Sequence, residues 1–301
     1  MNPHLGINSR FNKNSSLLIC GIVYLITFIG SYLCLALFEE LGQIYSVLIV
    51  DIIATVFIFL VGIVFRNASL YDAYWSVAPV PIALYWWSLS GFDMEDGRKI
   101  LAFLALLLWA VRLTLNWIRG WIGLTHEDWR YGMLRQKTGI FYPLVNLAGI
   151  HIFPTLMVFL GCLPLYFILS TENEIPLGWM DYLGFSVSII GILMELTADE
   201  QLRTFKKKNA DNPLAFIDSG IWYFSRHPNY FGEILFWTGL FFLAISSDNS
   251  IYWTAAGFMA MYAMFRFISI PMMDERMLKK RPKYAAIMNT VSQLVPWFRL
   301  R

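Results

Sequence analysis

Apolar residues recur along this chain in long unbroken runs, separated by short polar punctuation. The runs are continuous and not alternating, which excludes a transmembrane β-barrel. A helix crosses hydrocarbon with roughly 17–25 apolar residues. Eight segments meet or approach that length: Leu17–Phe38, Ser46–Phe65, Val77–Leu89, Ile100–Trp117, Leu147–Leu169, Met180–Leu196, Tyr230–Ile245 and Ile251–Met273. The third and seventh are short, as in tilted hairpin partners or a re-entrant segment. The pattern predicts an all-α, polytopic transmembrane bundle of seven or eight helices. Residues 1–16 form a cytoplasmic lead, 17–273 the bundle, and 274–301 a cytoplasmic amphipathic helix and tail. A polar lead before a full-length span, without a small-residue cleavage site, predicts that the first helix is retained.

Composition agrees. The 301 residues are 57% hydrophobic and 15% charged, against about 25% charged in soluble domains. This excludes a water-soluble domain and a disordered chain. The net charge of +2 is too small to imply a nucleic-acid partner. Its distribution says more. With the N-terminus cytoplasmic, nineteen of 23 Lys and Arg residues fall in inside segments, Arg10 and Arg301 among them. The outside loops hold only Arg98 and Lys99, while Arg112 and Arg266 lie within spans. Those loops carry Glu39, Glu40, Asp93, Glu95, Asp96, Glu172 and Glu174. The bias predicts that both termini are cytoplasmic. The short loops suit a bacterial inner membrane, or the endoplasmic reticulum of a eukaryote. Cys20, Cys34 and Cys162 sit in apolar runs without metal spacing, so no metal is expected.

Polar chemistry concentrates on the inside. Asp72 lies between Tyr71 and Tyr74 at a membrane boundary, where a carboxylate beside phenols can position or deliver a proton; an aromatic belt with a helix cap is the bland alternative. Arg112 sits two turns inside the fourth span, where a charge needs protein, water or an anion, or snorkels to the interface. Beyond it, His126, Glu127, Asp128 and Arg130 suit a gate or a salt-bridged loop. Glu195, Asp199 and Arg203 are spaced four apart and share a face if the sixth helix continues. Carboxylates followed by Arg203 and Lys206–Lys208 suit a nucleotide's ribose and phosphates. In Gly220-Ile-Trp-Tyr-Phe-Ser-Arg-His-Pro-Asn-Tyr-Phe-Gly-Glu233, Pro228 suits a helix first turn. Arg226 and His227 then precede a helix N-terminus that favours anions. Asn229 and Tyr230 add donors, and Glu233 falls one turn deeper. Arg266, two turns inside the last span, wants an anion, either a phosphate or Glu233. His151, opening the fifth span, reads as a structural histidine.

Three of these stretches together, Arg226-His-Pro-Asn-Tyr-Phe-Gly-Glu233, Glu195-Leu-Thr-Ala-Asp-Glu-Gln-Leu-Arg203 and His126-Glu-Asp-Trp-Arg-Tyr131, resemble the DUF1295 family, whose members are similar to steroid 5-alpha-reductases. The resemblance covers roughly Arg66 to Arg301. It implies NADPH-dependent reduction of a carbon–carbon double bond conjugated to a ketone. NADPH would enter from the cytoplasm and a lipophilic, steroid- or isoprenoid-like substrate from the bilayer lipids. By resemblance the cofactor is held by Asp199, Arg203, Asn229 and Glu233, with Glu195, Arg226, Arg112 and Arg266 beside them; His227 and Tyr230 complete the set chosen from the residues. Steroid reductases polarise the carbonyl with a Glu and a Tyr from early helices. This chain has no clean counterpart, and Asp72 with Tyr74 or Tyr71 is the candidate pair. The Arg-His-Pro-x-Tyr element also occurs in isoprenylcysteine and phospholipid methyltransferases, so an S-adenosylmethionine-dependent methyltransferase is the alternative. A transporter or lipid-binding protein is a third class, but it needs polar residues at mid-membrane, and spans one, five and seven show almost none.

Overall fold

The computed structural model describes residues 11–172 and 175–299. Arg10, Glu174 and Arg301 of the charge distribution lie outside the described residues. Among the described residues there are helices and no strands. Helix α1 (Lys13–Leu35) begins at Asn12, whose side chain accepts from the Ser15 N–H at 2.9 Å. A 3₁₀ stretch, Ala36–Leu41, and Gly42 lead into α2 (Gln43–Phe65). A 3₁₀ turn, Ala68–Tyr71, and two short helices follow, α3 (Tyr74–Val77) and α4 (Pro79–Ser88). Asp96 caps α5 (Gly97–Gly120), and Asp128 caps α6 (Trp129–Thr138). Then α7 (Tyr142–Val145), a π-helical segment Asn146–Ile152 and α8 (Phe153–Leu169) run on without a break. Helix α9 (Trp179–Lys208) is the longest, at 30 residues, and α10 (Pro228–Ile245) opens on Pro228. Helix α11 (Ala256–Met264), a second π segment Phe265–Ser269 and α12 (Ile270–Lys280) again form one rod, followed by α13 (Tyr284–Thr290).

Six helical stretches are long and apolar enough to cross a membrane: Lys13–Leu41, Gln43–Phe65, Gly97–Gly120, Trp129–Leu169, Trp179–Lys208 and Asn249–Lys280. Their outward side chains are apolar. Leu25 and Leu33 of α1 and Leu37 of the 3₁₀ stretch that extends it are 60%, 68% and 76% exposed, which suits lipid and not water. The chain is therefore an all-helical, multi-pass membrane protein. The expectation of seven or eight crossings exceeds these six. The segment read as Val77–Leu89 is the ten-residue α4, about 15 Å long at 1.5 Å per residue and half a hydrocarbon core. The segment Tyr230–Ile245 is α10, 18 residues long and largely buried. The division at 273/274 falls inside α12, where Asp274 is buried.

Two features set the geometry of the interior. The first is the contact of α9 with α10. A Cβ on Gly191 would stand 2.7 Å from the Phe236 nitrogen, and one on Gly232 would stand 2.6 Å from Glu195 Cγ. Gly184 and Gly239 meet one heptad further along. Small residues at this repeat let the two backbones touch, and they lay Glu195 against the turn that carries Glu233. The second feature is the pair of π segments. Each ends two residues before a proline, Pro154 and Pro271. A proline ring clashes with the carbonyl four residues back and removes one N–H. Widening the preceding turn accommodates both defects.

Candidate functional site

A cavity of about 460 Å³ opens where α5 and α9 approach their C-terminal ends. One wall comes from those two helices. Helix α9 presents Glu195, Asp199 and Arg203 at four-residue spacing, as the sequence suggested, and α5 answers with Arg112 and Asn116. The Arg112 guanidinium donates to Asp199 Oδ2 at 3.0 Å and to Glu195. Asn116 Nδ2 donates to Asp199 at 2.9 Å, and its Oδ1 accepts from Arg203 at 2.5 Å. Glu195 Oε1 is left buried without a donor and faces Glu233. The Glu233 carboxylate, 3% exposed, accepts from the Trp109 and Trp237 indoles at 3.0 and 2.8 Å. Trp109 is itself clamped, stacked on Phe236 at 4.8 Å. Asn229 and Tyr230, in the first turn of α10, complete this polar side.

The facing wall is built by the loop that leads into α6. Asn67 Nδ2 donates to the Leu124 and His126 carbonyls at 2.8 and 3.0 Å, and Glu127 accepts from the Ala68 N–H at 3.0 Å. Glu127 also pairs with Arg135, so this is the salt-bridged loop expected of that stretch. The latch sets Tyr131 over Asp72, whose carboxylate accepts the phenol's proton. Burial pushes the Asp72 carboxyl up to about 6, against the opposing pull of the Tyr131 hydrogen bond and of Arg130. Between the polar walls lies an apolar one of Met157, Met261, Met264, Met272, Phe265 and Ile268. Thioether side chains there adapt to irregular apolar shapes. Both π segments contribute to this lining, through Gly149 and Ile150 and through Phe265 and Ser269. Arg130 lines the cavity; behind it Arg276 has Arg130, Arg281 and Asp128 as electrostatic neighbours, and Lys206 has Arg276, Arg281 and Asp199. Arg276 is anchored over the Trp129 ring at 3.8 Å.

Several sequence candidates have other employment. Tyr74 is not the partner of Asp72. Its phenol turns away to donate to Asp51 Oδ1 at 2.7 Å and lines a separate, smaller cavity. Arg226 and His227 do not face the large cavity, because Asp274 of α12 takes both, at 2.5 Å from Arg226 Nη1 and 3.2 Å from His227 Nε2. Arg266 does not reach Glu233, whose oxygens the two indoles occupy; its guanidinium lies 5.6 Å from the Phe267 ring centroid. Arg112 and Arg203 border the site with their charge already matched by carboxylates and Asn116. Asp72, Glu195, Asp199, Asn229, Tyr230 and Glu233 do share one cavity. Sequence reasoning assigned no role to Tyr131, Trp109, Trp237, Arg276 or Arg281. Only the Glu233–Trp237 pair, four apart on one helix, carries a local signal.

A family model described as a protein of unknown function, DUF1295, matches residues 58–291. An uncharacterized protein of Schizosaccharomyces pombe is 26% identical over 252 residues, covering 77% of this chain and 73% of that one. No solved structure matches. The family match spans every wall of the large cavity and starts within α2, so the chain belongs to the DUF1295 family.

Proposed function

We propose that this protein is an NADPH-dependent reductase of a conjugated carbon–carbon double bond in a lipophilic ketone. The observation that carries the reading is one cavity that joins a carboxylate–amide wall, an apolar methionine wall and the Asp72–Tyr131 acid–phenol pair, with Arg130 on its lining and Arg276, Arg281 and Lys206 clustered behind it. The residues fit the cofactor. Glu195 Oε1 is a buried acceptor lacking a donor, and with Asp199 and Asn229 it suits ribose hydroxyls and an amide. Arg130, Lys206, Arg276 and Arg281 suit phosphates. NADPH, when bound, supplies a hydride. The methionine wall holds the hydrocarbon body of the substrate. Asp72 and Tyr131 hold the ketone oxygen by hydrogen bonds that strengthen as negative charge develops on it. This pair takes the part that the sequence offered to Asp72 with Tyr74. The mouth opens to the cytoplasm, both termini lie on that side, and α4 and α10 join the six long helices as partial or tilted crossings. Lipid enters sideways from the host membrane, a bacterial inner membrane or endoplasmic reticulum.

Titrating detergent-purified protein with NADPH, NADH and S-adenosylmethionine tests the reading. NADPH binds most tightly, and the Arg276→Ala/Arg281→Ala double variant loses that preference. Asn229→Ala weakens binding of all dinucleotides. Binding of S-adenosylmethionine without NADPH overturns the reading in favour of a methyltransferase.

A further inference from the structure

Helix α2 carries a carboxylate, Asp51, eight residues from its start, about 12 Å along the rod. It is 7% exposed. Ionisable groups at such depth are costly and mark proton or ion paths more often than structure. Among the described residues no cation pairs with Asp51; its carboxylate accepts from the Tyr74 phenol at 2.7 Å. The titratable groups facing it are Tyr74, Tyr71 of the 3₁₀ turn and Cys162 of α8.

A line of hydroxyls leads away from it. Thr55, one turn further along α2, lies in hydrogen-bonding contact with the Tyr74 phenol. Thr55 Oγ1 meets Thr155 Oγ1 at 2.8 Å, and Thr155 Oγ1 meets the Tyr71 phenol at 2.8 Å. Either oxygen can donate in both of the last two bonds. Thr55 and Thr155 are 0% and 3% exposed. Tyr71 lines the large cavity beside Asp72. At the other end, Asp51 and Tyr74 line a second cavity of about 100 Å³ between α1, α2 and α4. That volume admits water, which needs only about 10–15 Å³ per molecule on this measure. Its rim continues to Tyr85, whose phenol donates to Gln43 at 2.5 Å, near the exposed Glu39. The two cavities lie in opposite halves of the bundle, one where α2 begins and the other where α5 and α9 end.

We infer that Asp51 is the loading site of a proton relay, running through Tyr74, Thr55, Thr155 and Tyr71, that connects the small cavity with the large one. When Asp51 is protonated from the small cavity, its O–H turns to the Tyr74 oxygen and the Tyr74 O–H, which otherwise donates to Asp51, turns to Thr55. For each proton delivered, Asp51 then gives its proton to the Tyr74 oxygen, and each hydroxyl accepts one proton and passes one on. The Tyr71 O–H bond breaks toward the acceptor in the large cavity, and Tyr71 is refilled from Thr155. Asp51 is left as a carboxylate and is reloaded from water in the small cavity. On the reductase reading, on which the identity of the acceptor rests, that acceptor is the substrate carbon left electron-rich after hydride addition.

Two measurements separate the relay from the reductase. In the first, the protein is reconstituted into phosphatidylcholine vesicles containing an entrapped pH-sensitive dye, with the membrane potential clamped, and a pH step is imposed. Wild-type vesicles equilibrate faster than protein-free ones. Asp51→Asn and Thr155→Val return the rate to the protein-free value, and Thr155→Ser, which keeps the hydroxyl, restores it. Thr155→Val preserves side-chain volume, so the test survives if Asp51→Asn fails to fold. Equal rates for wild type and Thr155→Val overturn the relay. In the second, NADPH oxidation is followed with progesterone as the enone probe. Thr155→Val lowers kcat by about 10²-fold, the usual weight of a lost proton transfer, with KM unchanged and a larger solvent isotope effect. Wild-type kcat and isotope effect in Thr155→Val also overturn the relay. Wild type that carries protons but oxidises no NADPH overturns the reductase reading and leaves the relay standing.

Discussion

Replacing Asp274 by Ala distinguishes a structural Arg226–His227 pair from a ligand-binding one. Asp274 is 4% exposed, and its carboxylate accepts from Arg226 Nη1 at 2.5 Å, His227 Nε2 at 3.2 Å and the Tyr284 hydroxyl at 3.2 Å. Arg226 Nε already has no acceptor. Removing the carboxylate leaves a buried guanidinium without a counter-charge, which costs about 3–5 kcal/mol. The three hydrogen bonds are part of that figure and do not add to it. The damage spreads to the chain end, since the Arg226 N–H donates to the Ser292 carbonyl at 2.9 Å and Ser225 Oγ to that of Leu294 at 2.7 Å. At about 2–4 °C per kcal/mol for chains of 150–250 residues, the unfolding midpoint falls by roughly 10 °C. Tryptophan fluorescence during heating in detergent reads this directly. Asp274→Asn keeps the acceptor oxygen and loses the charge, so it falls between. An Asp274→Ala protein that melts with the wild type but no longer binds dinucleotide refutes the reasoning and returns Arg226 and His227 to the ligand site.

The remaining predictions concern the two walls. Asp72, raised from 3.8 to about 6, is an acid that empties as pH rises. Turnover therefore declines above about pH 6 by up to tenfold per unit, and Asp72→Asn abolishes that limb. The same shift affects stability. Protonated Asp72 favours the folded state fully below the unfolded value of 3.8, and the contribution is lost as pH rises through about 6. Melting midpoints on either side of that window should differ in the wild type by more than in Asp72→Asn. Gly191→Val forces a side chain against backbone that cannot yield, 2.7 Å from the Phe236 nitrogen. It costs at least about 1–3 kcal/mol, seen in the same melting assay.

What was legible in the sequence follows from the range of the interactions. Apolar runs report burial in lipid residue by residue, so the six long helices stand out. Four-residue spacing reports a shared helix face, so Glu195, Asp199 and Arg203 emerged together. Asn229 and Glu233 followed from the helix start at Pro228. Tyr131 and Asp72 lie 59 residues apart and Arg226 and Asp274 lie 48 apart. No local pattern says which of several tyrosines a carboxylate meets, and Tyr74, two residues from Asp72, was the nearer choice in sequence. Arginines near a helix N-terminus looked like an anion site because the acidic partner on α12 is invisible from there. Asp51 went unremarked because one carboxylate hardly changes the hydropathy of a 23-residue apolar run.

The paired π segments divide the labour of the large cavity. Where α9 meets α10, backbones touch through glycines and nothing can slide. Opposite, before Pro154 and Pro271, each rod carries a turn with more residues than its neighbours, and such loosened turns shift register at low cost. The chamber thus has one hard side, which bears the carboxylates, and one compliant side, which bears the methionines. On the proposed reductase function, the second would accommodate guests of differing girth without disturbing the alignment imposed by the first.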